Sequence, residues 1–336
     1  MLPRFRSRSH EQTVVFGEDH LTVLAGLEKR GRDFIVSTPG HAPAAEAIAQ
    51  ALGQADVWSG ARMHTPVAVT EAALDALSAS GAGRIIAIGG GSAIGLGKAL
   101  ALRTGLPQVA IPTTYAGSEM TPVLGQTEAG RKTTVRDERV RPGTVIYDVA
   151  LTLGLPPAIS AASGLNGLAH ALEALYAPDR TPLTDLAARQ AIALMSAALP
   201  VVVASPGDGP ARAEALQGAW LAGFVLGQTT MGLHHKLAHV LGGMLDLPHA
   251  QTHAVLLPHV AGFNAEFLAP LLGPAPGASL AELARSVDAP RSLRELGMKE
   301  ADIEAVVDEV AGASFANPRP VEPTALRALL EAAWSG

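Results

Sequence analysis

The 336-residue sequence predicts an α/β amino-terminal domain on a Rossmann-like parallel sheet, followed by an all-helical carboxy-terminal domain. Three observations point there. Short β-branched runs alternate with helix-period segments through the first half, the pattern of a parallel sheet covered on both faces. The run Arg84-Ile-Ile-Ala-Ile88 reads as a buried strand and leads straight into Gly89-Gly90-Gly91-Ser92 and a helix. Beyond Leu155-Pro156-Pro157 the strand signal stops and helical periodicity takes over. The expected domains are residues 1–154, which would bind a dinucleotide, and 155–336, which would carry substrate and catalysis.

Thr13–Phe16 is the first expected strand, ended by Gly17, and residues 33–37 the second, ended by Thr38-Pro39-Gly40. A helix over Ala42–Leu52, a strand over Ala55–Trp58 and a helix over 71–80 follow. The strand over 84–88, the glycine turn and the helix over 93–102 make a ready anion site. Glycines let the backbone approach a phosphate, and the free N–H groups and dipole of a helix start favour negative charge. The turn is neither G-x-G-x-x-G nor a Walker sequence. A plain tight turn has the same composition, and Lys98 suits either phosphate or water. The strand from Val109 leads into Pro112-Thr113-Thr114-Tyr115-Ala116-Gly117-Ser118, whose hydroxyls are expected at the sheet edge where ligands of such folds bind. An ordinary hydroxyl-rich turn reads the same way. Residues 121–128 and 133–136 suggest a hairpin around Ala129-Gly130, and Thr144–Tyr147 closes the domain.

The second half predicts helices over 159–176, 184–198, 211–226, the segment carrying His235 and His239, and 249–267. After a break at 270–276, shorter helices are expected over 280–287, 292–296, 300–310 and 324–333. The most apolar stretch, 191–204, is interrupted by Ser196 and Pro200, so no run is expected to reach membrane-spanning length.

Composition narrows the function. Net charge is −6 with no basic stripe, which removes the electrostatic footprint of a nucleic-acid partner. There is no cysteine, so disulfides, thiolate catalysis and thiolate metal sites are excluded. Arg4, Arg6 and Arg8 make the start basic, yet no apolar signal segment follows. A cytoplasmic protein with no membrane partner is expected.

Six of the eleven histidines fall between Gly232 and Val260: His234, His235, His239, His249, His253 and His259. His235 and His239 are one helical turn apart, and so are His249 and His253. Asn166 and His170 repeat the spacing in an apolar helix. A lone histidine is usually a satisfied core or surface residue. Several imidazoles buried without use would each carry a desolvation cost, which points to a functional cluster.

These pieces, in this order, resemble the iron-containing alcohol dehydrogenase superfamily, with its dehydroquinate-synthase-like fold. The resemblance implies a nucleotide-binding α/β domain, a helical domain and an active site in the cleft between them. Within the superfamily, GGGSAIGLGKALALRTGLP, PTTYAGSEMTP, GRKTT, SGLNGLAHALEALYA and GLHHKLAHVLGG resemble the maleylacetate reductases. Dehydrogenases of the wider group typically carry Asp where this chain has Gly95 and Asn166; the maleylacetate reductases are similar to this sequence at both. The likeness implies NADH-dependent reduction, with NADPH possible, of the carbon–carbon double bond of maleylacetate to 3-oxoadipate in aromatic-ring degradation. It also implies a small dicarboxylate substrate and a homodimer. Gly89, Gly90, Gly91, Ser92, Thr113, Thr114 and Ser118 would line the dinucleotide, Lys132 the nicotinamide-side ribose, and Ser37 and Thr38 the adenosine ribose. No Asp stands at the end of the second strand, so a strict preference for NAD over NADP does not follow.

In metal-using relatives one Asp and three His hold iron or zinc. The matching positions are Asn166, His170, His235 and His249, with His239 nearby. Three neutral imidazoles can still hold zinc, so spacing alone does not exclude a metal, but the likeness favours a metal-free mechanism. Hydride added to a double bond conjugated with a ketone creates enolate charge, which a histidine can stabilise and protonate. Lys236, beside His235, is a candidate partner for a substrate carboxylate or a solvated side chain, and His64 is a weaker candidate. The rival readings are a metal-dependent alcohol, aldehyde or polyol dehydrogenase, a reductase of another enoic or oxo acid, a sugar-phosphate cyclase using Arg180, Arg189, Arg212 and Lys236, and a non-catalytic binding protein.

Overall fold

The computed structural model describes residues 11–128 and 131–336. Arg4, Arg6 and Arg8, and the side chain of Lys132, lie outside what is described. The chain divides into two compact units between Leu155 and Pro156.

The first unit carries β1 (Thr13–Phe16), α1 (His20–Gly26), β2 (Asp33–Val36), α2 (Ala42–Leu52), β3 (Ala55–Trp58), α3 (Val67–Ser80), β4 (Arg84–Gly89), α4 (Gly91–Thr104), β5 (Gln108–Pro112), β6 (Val123–Glu128), β7 (Arg131–Arg136) and β8 (Thr144–Tyr147). Six strands form one sheet in the order β1-β8-β5-β4-β2-β3, and every pairing is parallel. β6 and β7 form a separate antiparallel hairpin. β2, β4 and β5 are buried along their whole length, as continuous apolar runs in a doubly covered sheet must be. One face packs Ile35, Ile86, Ile88, Val109, Ile111 and Ile146 against Leu24 of α1 and Ala45 and Ile48 of α2.

The register sets the functional edge. Val36 pairs with Ala87, and Gly89 with Pro112. The residues that follow, Ser37-Thr38, Gly90-Gly91-Ser92 and Thr113-Thr114, therefore leave the sheet side by side at its carboxyl end. Helix α1 was not anticipated. Its seven residues, HLTVLAG, include two β-branched side chains, and it forms because Asp19 caps Thr22 N–H and Leu24 is buried.

The second unit is helical among its described residues: α5 (Pro157–Ala174), α6 (Pro182–Ala204), α7 (Gly209–Gln228), α8 (Leu233–Leu245), α9 (His249–Phe263), α10 (Ala265–Leu272), α11 (Pro276–Ser286), α12 (Ile303–Ala311) and α13 (Pro323–Ser335). Helices α5, α6 and α7 pack on one another at small residues. A Cβ on Gly164 would lie 2.4 Å from Leu199 Cδ2, and one on Gly218 2.4 Å from Met195 Cγ. A second core joins Leu237 and Leu241 of α8 and Val255 and Leu256 of α9 to Val306, Val310, Leu326 and Leu330.

Three expectations need correction. Helix α6 runs through Pro200 to Ala204, because packing on α5 and α7 holds the turn that proline deprives of one hydrogen bond. At 23 residues, with a mean hydropathy of 1.7 over an 18-residue stretch, it is long and apolar enough to cross a membrane by length and composition. A core helix passes the same test, and α6 buries Ala188, Ala191, Met195 and Leu199 in this unit. The helix expected over 249–267 breaks at Asn264, whose carboxamide exchanges two hydrogen bonds with Asn317 at 3.0 and 3.1 Å. Residues 292–296 form turns rather than a helix.

Candidate active site

The helical unit brings the predicted imidazoles together. His170 lies on α5, His234, His235 and His239 on α8, and His249 and His253 on α9. Ring centroids are 4.9 Å apart for His170 and His235, 5.0 Å for His235 and His253, and 4.5 Å for His249 and His253. His239 stands 6.3 Å from His235 and 6.4 Å from His249, at the exposed end of the row. Asn166, one turn before His170, is buried with its Oδ1 unbonded. His259, on α9, lies outside these ring contacts and is half-buried. Lys236 lies 3.9 Å from Glu309 Oε1.

A carboxylate organises the cluster. Glu173, three residues beyond His170 on α5, is 1% exposed. It accepts Gly232 N–H at 3.0 Å, His234 N–H at 2.7 Å and His235 Nδ1–H at 2.6 Å. Tyr176 O–H adds a long contact at 3.4 Å. Burial pushes the Glu173 carboxyl up, but the facing His235, with further help from His234 and Gly232, outweighs it, so the group stays below its ordinary value. The Glu173 carboxylate is therefore held by backbone donors at the start of α8, where the helix dipole also favours negative charge. Gly232 makes this approach possible: a Cβ there would lie 2.5 Å from Ala316 O and 3.1 Å from Glu173 Oε1.

The same bond orients His235. With Nδ1–H given to Glu173, Nε2 is left as the second functional nitrogen, buried and without a hydrogen bond. His234 Nε2 and His253 Nδ1 share a hydrogen bond at 3.0 Å. Burial holds His234 down to about 3, only partly opposed by Glu173. Burial, then the neighbouring imidazoles, holds His170 and His253 well below the ordinary imidazole value. These three rings are neutral at neutral pH.

In the first unit, Gly90 caps α4 without a side-chain hydrogen bond. A Cβ on Gly90 would lie 2.8 Å from Thr114 Cγ2, whereas one on Gly91 would meet open space. Gly89 takes φ 138°, where a side chain would be strained. Thr113 N–H bonds Gly89 O at 3.1 Å, tying β5's exit to the glycine turn. Ser37 Oγ bonds Ser59 Oγ at 2.9 Å. Lys98 meets neither phosphate nor water. It is fully buried and donates to Ser118 O, Thr121 Oγ1 and Val123 O, fastening the Ser118 loop to α4. Lys132 lies on β7, with its side chain not described. His64 and Thr65 both take left-handed backbone, φ 62° and 46°, and Thr65 Oγ1 would lie 2.5 Å from a Cβ on Gly95.

The donor set tests the metal that the resemblance implies. The cluster offers imidazoles and the Asn166 carboxamide, with the Glu173 carboxylate committed to His235 and two backbone N–H groups. Among the described residues, the His and acid atoms that gather within 4.8 Å of one another are those of Asp19, His20 and Asp148, not those of the cluster. There Asp19 caps α1 and Asp148 accepts His20 and Ala150 N–H, so both carboxylates serve the backbone. The cluster therefore offers a metal no free carboxylate, only imidazoles and a carboxamide, a set that matches an open three-histidine site better than a closed one.

Glu173 is the residue of the site that sequence reasoning did not single out; His234 and His253 were counted in the histidine cluster without a role of their own. An acid one turn beyond His170 in an otherwise apolar helix was the available signal for Glu173.

Comparisons with known proteins agree with this architecture. The family profile for iron-containing alcohol dehydrogenases matches residues 11–149, and that for the carboxy-terminal part of the Fe-containing alcohol dehydrogenase family matches residues 160–334. The chain is 50% identical over 335 residues to maleylacetate reductase of Rhizobium sp. (strain MTP-10005), covering 96% of this chain and 95% of that protein. It is 49% identical to maleylacetate reductase of Pseudomonas knackmussii, covering 96% of each. The crystal structure of maleylacetate reductase from Agrobacterium tumefaciens superposes with a TM-score of 0.94 at 48% identity, covering 99% of both chains. With both halves matched and relatives this similar over nearly their whole length, the chain belongs to the iron-containing alcohol dehydrogenase family, in the group of the maleylacetate reductases.

Proposed function

We propose that this chain reduces the carbon–carbon double bond of maleylacetate to give 3-oxoadipate, using NADH or NADPH and no bound metal. The observation that carries the reading is the 2.6 Å Glu173–His235 hydrogen bond, which leaves Nε2 of His235 available amid neutral His170 and His253. The substrate's ketone is conjugated with its alkene. A reduced nicotinamide, when bound, would supply hydride to the alkene carbon β to the ketone. The displaced electron pair moves through the α carbon onto the ketone oxygen as an enolate. His235 then donates a hydrogen bond to that oxygen, and Glu173 holds the ring through Nδ1. A proton delivered to the α carbon completes the product. Neutral His170 and His253, with Asn166, His249 and His239, supply donors and acceptors around a dianion that an additional free carboxylate would repel.

The alcohol dehydrogenase rival needs an anionic ligand where Asn166 stands. The sugar-phosphate rival loses a cation, because Arg212 is fully buried and bonded to Ser160 Oγ and Pro206 O. The reading carries with it a cytoplasmic homodimer. The test follows NADH and NADPH oxidation with maleylacetate and with an aldehyde panel, before and after exhaustive chelation. Chelator-resistant turnover of maleylacetate supports the proposal. Activity lost on chelation and restored by Fe²⁺ or Zn²⁺ overturns its metal-free form, and turnover of aldehydes alone overturns the substrate.

A further inference from the structure

Two strand ends of the sheet are joined by a side chain the mechanism leaves unused. His41 closes a 3-10 turn, Pro39–His41, directly after Ser37-Thr38. Its Nδ1 lies 3.0 Å from Thr38 Oγ1, and its Nε2 lies 3.0 Å from Thr113 Oγ1. A Cβ on Gly89 would come within 3.8 Å of Nδ1, so the ring also borders the glycine turn that ends β4. One half-buried imidazole thus touches the exits of β2, β4 and β5.

A neutral imidazole has one N–H and one lone pair. The two threonine hydroxyls cannot be equivalent: one accepts from the ring, the other donates to it. We propose that His41 is a positioning residue for dinucleotide binding, which fixes the direction of the Thr38–His41–Thr113 chain and so what each hydroxyl presents to a bound cofactor. The inference rests on the assignment of this sheet edge to NADH or NADPH. It would make the adenosine-ribose end and the glycine turn respond together to one ring.

Protonation changes the pattern, because both ring nitrogens then donate and both hydroxyls must accept. Burial alone holds His41 below the ordinary imidazole value of 6.5. The charged groups on neighbouring elements are engaged elsewhere. Asp33 and Arg84, at the far ends of β2 and β4, pair with each other at 2.6 Å. Glu46 on α2 is exposed, and Lys98 on α4 is tied to the Ser118 loop. The directed chain therefore holds at neutral pH and is lost only on the acid side.

The test measures NADH and NADPH dissociation constants, from the fluorescence of the reduced nicotinamide, across acid to mildly alkaline pH. Wild type, His41→Phe and His41→Gln are compared. Wild type is expected to bind evenly at neutral and alkaline pH and more weakly at acid pH. His41→Phe removes both bonds and is expected to bind roughly five- to tenfold more weakly at neutral pH, with the acid-side loss abolished. His41→Gln, which can both donate and accept but does not titrate, is expected to recover part of the affinity and to share the flat profile. Should His41→Phe fail to fold, judged by circular dichroism, the Gln profile decides alone. Variants that keep wild-type affinity, or that keep the wild-type acid-side loss, overturn the inference. Wild type that binds neither dinucleotide overturns the cofactor assignment beneath it, a different and recognisable failure.

Discussion

At the sheet edge, the groups offered to a ligand are backbone N–H groups at Gly90 to Ser92 and neutral hydroxyls at Thr38, Thr113, Thr114 and Ser118. In the helical unit they are imidazoles, held by a buried carboxylate. Lys98 of the first unit is turned inward to brace a loop. Glu173 of the second is turned toward the ring of His235. The difference is between recognition and chemistry. A sheet edge made of amides and hydroxyls suits phosphate and ribose, and its response to pH passes through His41, which bonds Thr38 and Thr113. A histidine cluster can move protons, but its behaviour is decided by burial and by one hydrogen-bonded carboxylate. Substitutions in the two regions should therefore fail in different ways.

The largest separation is expected for His235→Ala. Turnover of maleylacetate should fall by about 10²- to 10⁴-fold, with the NADH dissociation constant unchanged. Stopped-flow and equilibrium fluorescence check both halves, and an equal loss in cofactor affinity would erase the distinction. Acid should strike the helical unit next. His234, His170 and His253 have folded values depressed below 6.5, so the unfolded chain binds more protons as pH falls past that value. Stability is fully present above about 6.5 and declines below it, down through the window that for His234 extends to about 3. Each such ring contributes a slope of about 1.4 kcal/mol per pH unit once the unfolded chain is protonated. Glu173, also depressed, adds to the loss at lower pH. Urea denaturation at a series of pH values measures the slope, and constant stability between roughly pH 7 and 5 would contradict it.

Two smaller effects probe the sheet edge. Lys98→Met should cost about 1–3 kcal/mol by leaving Ser118 O, Val123 O and Thr121 Oγ1 unbonded by Lys98. Thermal melting reads it, and an unchanged midpoint would show the brace to be dispensable. Gly90→Ala sets a methyl against Thr114 Cγ2. It should weaken NADH by about 1 kcal/mol, roughly fivefold, and leave turnover at saturating NADH intact. A fall in saturated turnover instead would mean that the glycine turn shapes the chemical step as well.

How much of this could be read in advance follows from the range of the interactions. The strand of Arg84 to Gly89 and the glycine turn after it were legible because both signals are local. The histidine pairs were legible because one-turn spacing needs only the helix to be known. Glu173 was hidden because its partners, Gly232, His234 and His235, lie about sixty positions away in the chain. The helix through Pro200 was hidden because packing on α5 and α7 overrode a local breaker. The left-handed pair His64 and Thr65 carries no compositional mark at all, since neither residue type announces that backbone.

The meeting of Thr65 with Gly95 bears on how this branch of the family could exchange places with its relatives. A side chain at 95 would start 2.5 Å from the Thr65 hydroxyl, on a backbone already bent into an unfavourable region. Gly95 is therefore coupled to Thr65: a side chain at 95, such as the aspartate that the resemblance to the wider group would place there, requires the Thr65 side chain to move, so such an exchange involves both positions.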